Sequence, residues 1–180
     1  SKGHSRAAYN TVEGVVTFGR DPCGCRLGDY RYTVTSGSGK NRRSTTYRVS
    51  YLIVHLPYLN APGLSIRREH VFDKLGSMLG FDDIDFESAE FSRTFHVSST
   101  DKRFAYDVVT PSMMEFLLAE GELWTLELDG GVLLLTRGGG RWDVGRFRSA
   151  LSFVQGFMGR WPEHVTRDLR DQMGQRSEMS

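Results

Sequence analysis

An acidic segment in the middle of the chain holds the side chains best suited to metal or acid–base chemistry. Alternate residues of an extended backbone share one face, so Asp83, Asp85 and Glu87 would point away from Ile84 and Phe86. Carboxylate oxygens are the ligands that hard divalent cations take, although the segment lacks the loop glycine and terminal glutamate of an EF-hand. These three carboxylates are the candidate ligands of a metal-dependent enzyme. The alternatives are a solvated strand face, or ion-pair partners for the arginine-rich first part of the chain.

A glycine- and serine-rich segment, residues 36–44, carries positive charge and is predicted to form a mobile hairpin loop. It contains Lys40, Arg42 and Arg43, and a strand-like stretch follows it where a phosphate-binding P-loop would require a helix. Three tyrosines lie on neighbouring strand-like stretches: Tyr30, Tyr32 and Tyr47. We expect the basic residues, with Tyr30 and Tyr32, to form a partner- or ligand-binding surface. Nucleic-acid binding through this loop is an alternative, less favoured because the signatures of nucleic-acid-binding modules are absent.

The histidines and cysteines do not form a recognisable catalytic or zinc motif. His55 and His96 lie on strand-like stretches, without a nucleophile elbow or a zinc-protease helix motif. Cys23 and Cys25 are the two cysteines of the sequence, whereas a structural zinc site takes four ligands in spaced pairs. We expect hydrogen-bonded histidines, a reduced cysteine pair with a small-ring disulfide as the alternative, no catalytic residue and no cofactor.

Alternation of apolar and polar residues predicts several strands that could position these side chains. The stretches with this pattern in the first third are Val12–Phe18, Asp29–Thr35 and Thr45–Leu56. A further strand is predicted over Phe91–Ser98. Two more strand-like runs flank Asp129-Gly130-Gly131, and an Asp-Gly step in that position indicates a β-hairpin.

Helical periodicity predicts an amphipathic helix over Val71–Leu79 and a longer one from Asp143 to Trp161. Asp101 and Thr110-Pro111 are start signals for two further helices. We expect an α+β fold, in which a mainly antiparallel sheet of about six to eight strands is packed by two or three helices. A PH-like curved sheet is one candidate subtype. The expected organisation is a leader or linker over residues 1–9, a single domain over 10–165 and a polar, partly disordered tail over 166–180.

Composition excludes several classes of protein. The chain has 180 residues, 39% of them apolar, with 23 basic and 22 acidic side chains, which argues against disorder. Its apolar stretches are far shorter than the ~18 residues of a membrane-spanning helix. The near-neutral total hides an asymmetry: residues 1–50 hold nine basic and three acidic residues, a balance of +6, and residues 51–90 hold three and seven, a balance of −4. The positive segment could contact phosphate or an anionic membrane, or neutralise the acidic middle.

One string of residues resembles a known group of proteins. The stretches that carry the resemblance are Gly80–Val97 (GFDDIDFESAEFSRTFHV), Asp101–Tyr106 (DKRFAY) and Thr110–Leu118 (TPSMMEFLL), extended by Val49–Leu56 and Gly28–Tyr32. They resemble the C-terminal domain of actinobacterial hypothetical proteins related to the DUF3137 group. The resemblance implies a domain that follows an N-terminal membrane anchor and a basic stretch. It implies no catalytic residues.

These observations together favour a non-enzymatic binding or interaction domain. The chain begins at Ser1 without an initiator methionine, so we expect it to be cut from a longer protein. The expected setting is the cytoplasmic part of a membrane-associated bacterial protein, tethered to the inner membrane by a segment outside this sequence. The expected partner is an unknown protein or a membrane surface, and nucleic acid is not favoured.

Overall fold

The structure, a computed structural model, describes residues 5–38, 42–57, 59–69, 81–120, 124–138 and 140–178. Within these ranges the chain forms one eight-stranded sheet and five helices. The strands are β1 (Ser5–Phe18), β2 (Asp21–Ser36), β3 (Arg43–His55), β4 (Leu64–Arg68), β5 (Asp82–Ile84), β6 (Phe95–Ser99), β7 (Trp124–Asp129) and β8 (Val132–Arg137). The helices are α1 (Ala89–Thr94), α2 (Lys102–Val108), α3 (Pro111–Ala119), α4 (Val144–Met158) and α5 (Glu163–Glu178).

The strands lie in the order β1-β2-β3-β8-β7-β4-β6-β5, and every neighbouring pair is antiparallel. The predicted α+β class with an antiparallel sheet is confirmed. The described residues contain more helices than the two or three expected. The PH-like subtype stays a prediction, and the helix expected over Val71–Leu79 lies outside the described residues.

A row of directly paired apolar side chains crosses the sheet and forms the floor of the core. From β2 to β5 its members are Leu27, Leu52, Leu135, Leu126, Ile66, Val97 and Ile84. All of them except the half-buried Leu27 are buried, together with Phe153, Val154 and Phe157 of α4. We call this side of the sheet the inner face and the opposite side the outer face. Alternation along each strand therefore assigns every sheet residue to one of the two.

Side-chain caps start three helices where the sequence predicts them. Asp101, Thr110 and Asp143 each accept a hydrogen bond from the backbone N–H three residues further on. A capping oxygen satisfies an N–H group that has no partner within the helix. α5 follows α4 after Pro162 and includes most of the segment expected as a tail. Val165 and Leu169 of this helix are buried in the core.

α1 replaces part of a strand that the sequence predicts over Phe91–Ser98. The hydroxyl of Ser88 accepts from the N–H of Phe91, and the Ser92 hydroxyl donates to the carbonyl of Phe86. These local bonds turn the backbone into a helix, so the strand prediction is wrong for residues 91–94. It is correct from residue 95 onward, where β6 begins.

Strands β1, β2 and β3 extend beyond the rest of the sheet. β3 pairs with β2 over residues 43–54, but with β8 only over residues 51–55. No side chain of residues 6–10, 30–36 or 43–49 is buried. We call these three segments the distal ribbon. β1 begins at Ser5, inside the segment expected as a leader or linker, and the division into domains stays a prediction.

At the base of the distal ribbon, β1 contains a β-bulge whose backbone lies very close to the backbone of β2. The pairing shifts between Tyr9 and Val12, and Asn10 adopts a positive φ of 51°. A Cβ atom at Gly28 would lie 3.0 Å from the Cα of Thr11 and 3.1 Å from the carbonyl oxygen of Asn10. Glycine at position 28 therefore permits the close approach of the two backbones.

We expect Gly28→Ala to lower the free energy of unfolding by about 1–3 kcal/mol, because backbone rather than a flexible side chain must move. The control is Gly24→Ala on the same strand, where a Cβ atom meets nothing within 4 Å. That variant should stay within about 0.5 kcal/mol of the parent protein. Urea unfolding measures both values, and equal stability of the two variants would contradict the close crossing.

Candidate functional site

The outer face of the distal ribbon carries a row of tyrosines. Tyr32 and Tyr47 are directly opposite each other on β2 and β3, with ring centroids 5.1 Å apart and an interplanar angle of 18°. Tyr30 extends the row at 6.0 Å from Tyr32. All three rings are half-buried, because each covers its neighbour without a further layer above them. We call Tyr30, Tyr32 and Tyr47 the tyrosine row.

Basic side chains flank the tyrosine row at both ends of the outer face. Arg6 of β1 is directly opposite Tyr32, and Arg43 is opposite Ser36 near the tip. Both arginines are exposed, as is Arg42 immediately before β3. The structure thus brings Tyr30, Tyr32 and Arg43 of the predicted surface to one face. Lys40 lies outside the described residues.

The inner face of the distal ribbon near its tip is held by paired hydroxyl groups. The Oγ1 atoms of Thr33 and Thr46 lie 3.0 Å apart, and Thr35 Oγ1 lies 2.9 Å from Ser44 Oγ. Directly opposed polar pairs of this kind stabilise neighbouring strands. These hydroxyl pairs hold β2 and β3 together near the end of the ribbon, although no apolar core underlies it.

A buried polar anchor fastens the distal ribbon to the core. Asp29 accepts hydrogen bonds from Ser50 Oγ and, at 3.0 Å, from Asn10 Nδ2. The backbone N–H of Trp142 donates to Ser50 Oγ at 2.8 Å. Asp29 and Ser50 are buried, so the bond between them is shielded from water, whereas Asn10 is exposed. The anchor links β1, β2, β3 and the segment before α4.

Sequence reasoning assigned no role to the residues of this anchor. The sequence does contain one indication: Asp29 lies within the strand-like stretch Gly28-Asp29-Tyr30, and aspartate is uncommon within strands. A carboxylate in a half-buried strand requires hydrogen-bond donors from other elements. The identity of those donors follows only from the register of the strands.

The acidic segment does not form the expected extended face. β5 ends at Ile84, and the backbone then turns toward α1. The Asp83 carboxylate pairs with His96 Nε2 at 3.1 Å. The backbone carbonyl of Asp85 accepts a hydrogen bond from the hydroxyl of Tyr106 at 3.0 Å. Glu87 is exposed. In the part of the chain that the structure describes, no three His, Cys, Asp or Glu residues are grouped to hold a metal ion.

The cysteines occupy the inner face of β2 and are not joined by a disulfide. Cys23 is buried and its thiol donates to the carbonyl of Asp21 at 3.6 Å, while Cys25 is half-buried. Burial raises the pKa of the Cys25 thiol above its ordinary value, and a hydrogen bond with the backbone of Gly14 opposes this in part. A raised pKa leaves less of the reactive thiolate at neutral pH.

We expect both cysteines to react slowly with iodoacetamide at pH 8. The raised pKa lowers the thiolate fraction of Cys25, and Cys23 requires opening of the core. The rates should be at least about tenfold below those of the same thiols in urea-unfolded protein. Mass spectrometry of the peptides measures both rates. A Cys25 that reacts faster when folded would contradict the burial effect.

Comparison with known proteins gives a match for the fold in a solved structure. No family model matches the chain, and a search of curated proteins gives no match. The chain is similar to the crystal structure of the mycobacterial trehalose monomycolate transport factor A, TtfA, with a TM-score of 0.57 and 11% identity. The similarity covers 85% of this chain and 71% of that one. At this identity the likeness establishes a shared fold. The resemblance to proteins related to the DUF3137 group stays a prediction.

Within the described ranges, no helix is both long and apolar enough to cross a bilayer.

Proposed function

We propose that this chain is a non-enzymatic binding module of a membrane-associated bacterial protein, and that the outer face of its distal ribbon docks a protein partner. One observation carries the proposal. The distal ribbon keeps regular strand pairing to its tip, yet it has no buried side chain. A sheet is ordinarily stabilised by burying one face, so an uncovered ribbon is a surface suited to receiving another molecule.

The chemistry of the outer face favours a protein partner. Tyrosine and arginine are among the side chains most enriched at the energetic centres of protein interfaces. Tyr32 and Tyr47 are already stacked in the free protein, so binding orders few additional torsions. Arg6 and Arg43 at the rim can pair with carboxylates of a partner and accelerate encounter.

Two further observations support a setting at a membrane. The fold is shared with TtfA, a mycobacterial trehalose monomycolate transport factor. The first fifty residues carry a net balance of +6, which suits the anionic cytoplasmic surface of a bilayer. The proposed location is the cytoplasmic side of the inner membrane, with a tether outside this sequence.

The two alternative functions have less support. A metal-dependent enzyme would need Asp83, Asp85 and Glu87 together, and Asp83 is instead paired with His96. Nucleic-acid binding would use tyrosine faces for bases, but Tyr32 and Tyr47 use facing surfaces to stack on each other.

Inverted inner-membrane vesicles from the organism that encodes the chain test the proposed function. The purified chain should co-sediment more strongly with intact vesicles than with vesicles whose exposed proteins have been removed by protease. Liposomes made from the extracted lipids provide the protein-free control. Equal binding to intact and protease-treated vesicles would contradict a protein partner. Absence of binding to any vesicle would contradict the membrane setting.

A further inference from the structure

The inner face of the distal ribbon holds three arginines around one open concavity of about 560 Å³. Its lining residues are Ala7, Tyr9, Arg31, Arg48 and Arg141. The concavity lies just beyond the anchor formed by Asp29 and Ser50, on the opposite side of the ribbon from the tyrosine row. We call it the arginine concavity.

Strand register brings the three arginines together. Arg31 on β2 and Arg48 on β3 are directly opposite each other, and Ala7 on β1 completes the same row. Side chains at such positions have Cβ atoms about 5 Å apart. The small side chain of Ala7 leaves open the space above the row.

Arg141 reaches the same place from a distant part of the sequence. Gly140 forms a parallel bridge with Val49 of β3. The backbone N–H of Trp142 donates to Ser50 Oγ at 2.8 Å. These two contacts fix residue 141 between them, alongside β3, so that its side chain joins the lining of the concavity.

The positive charge of this cluster is not neutralised within the described residues. None of Arg31, Arg48 and Arg141 forms a hydrogen bond or an ion pair there. The nearby Asp29 on the same face has both carboxylate oxygens occupied by Ser50 and Asn10. Like charges directly opposite each other on neighbouring strands are destabilising. Among the described residues, the three guanidinium groups are therefore left without an ion-pair partner, a role that a bound anion would fill.

We infer that the arginine concavity binds a phosphate-type anion, either as free phosphate or as the headgroup of a phospholipid. Guanidinium groups present pairs of N–H donors that match the oxygens of phosphate. Arg31 and Arg48 would approach the anion from the sheet, and Arg141 from the side. Tyr9 also lines the concavity, and its hydroxyl group is a further potential donor to the anion.

The volume of the concavity favours a phosphate that bears an organic group. About 560 Å³ is within the range of small-molecule sites and exceeds what the bare ion fills. The opening toward solvent leaves room for an attached glycerol or sugar. A phosphomonoester or phosphodiester is therefore the class of ligand expected.

Thermal unfolding in phosphate and in chloride of equal ionic strength tests this inference. Phosphate should raise the Tm of the parent protein above its value in chloride. The triple variant Arg31→Gln, Arg48→Gln, Arg141→Gln should show a smaller shift, limited to the general stabilisation that phosphate gives by exclusion from protein surfaces. Its Tm in chloride should stay equal to or above that of the parent because like charges are removed from facing positions. The matched control removes the same charge from exposed arginines elsewhere: Arg93→Gln, Arg103→Gln and Arg148→Gln. It should retain the phosphate shift.

Titration of phosphate gives the size of the effect. The single variant Arg141→Gln lies outside the strands and should weaken phosphate binding by about tenfold while leaving the fold intact, even if the triple variant fails to fold. An equal phosphate shift in the parent and the Arg141 variant would overturn the inference. So would loss of the shift in the control triple variant.

Vesicle flotation separates the two sources of the anion. A lipid headgroup is identified if the parent and the control triple variant float with vesicles of phosphatidylcholine and phosphatidic acid but not with phosphatidylcholine alone. In that case Arg141→Gln should reduce the fraction of protein that floats. A phosphate shift without flotation would identify a free phosphate compound. Absence of both would overturn the inference. It would leave the proposed protein docking intact, because the tyrosine row lies on the other face.

Discussion

Replacing Asp29 by alanine should lower the free energy of unfolding by about 3 kcal/mol and loosen the distal ribbon before the rest of the sheet. The substitution removes the acceptor for both Ser50 Oγ and Asn10 Nδ2 at a buried position. The fully buried hydroxyl of Ser50 would lose its acceptor and retain the cost of leaving water, whereas the exposed amide of Asn10 can bond to water. The hydroxyl of Ser50 also supports Trp142, so the loss extends to the segment before α4.

Urea unfolding measures the stability change, and hydrogen exchange of ribbon peptides measures the loosening. The matched control is Glu13→Ala, which removes another carboxylate from the same three-stranded region. Glu13 is exposed and paired with Arg26 at 2.6 Å, so its loss should cost less than about 1 kcal/mol. Equal effects of the two substitutions, or unchanged exchange in the ribbon of the Asp29 variant, would contradict the anchor.

The double variant Tyr32→Ala, Tyr47→Ala should weaken binding to intact inner-membrane vesicles by about a hundredfold or more. Two central aromatic side chains of an interface together contribute at least about 3 kcal/mol to binding. The stability cost should be near 1 kcal/mol, because a cross-strand aromatic pair on an uncovered face contributes little to the fold. A large loss of binding beside a small loss of stability is therefore the expected signature.

Tyr106→Ala is the control for the tyrosine substitutions. Tyr106 is an exposed tyrosine of α2, remote in sequence from the ribbon, with 51% of its surface accessible. This variant should bind vesicles like the parent. Comparable losses of binding in the two variants would mean that the effect is not specific to the distal ribbon.

The parts of the fold that the sequence predicts depend on local patterns. The hairpin at Asp129-Gly130 follows from residue chemistry within a few positions, as do the helix caps at Asp101 and Asp143. The alternating stretches likewise indicate β2 and β3, although not their full length. Pairing with β2 extends β1 to Ser5, where Ala7 and Ala8 alone have little preference for a strand.

The parts that sequence reasoning misses depend on contacts between distant residues. Ser50 and Trp142 are 92 positions apart, and Asn10 and Asp29 are 19 apart. Arg31 and Arg48 are recognisable as neighbours only when the register of β2 on β3 is known. The strand positions of Tyr30 and Tyr32 suffice to predict that both side chains point to the same face of the sheet. Of the basic residues expected beside them, Lys40 lies outside the described residues.

Photo-crosslinking in living cells tests most directly whether the distal ribbon is the binding surface. A benzophenone amino acid is placed at position 32 in one variant and at position 106 in another, and each is irradiated in the organism that encodes the chain. We predict a discrete protein adduct from position 32 and none from position 106. An adduct from position 106 with none from position 32 would contradict the assignment of the ribbon as the docking surface.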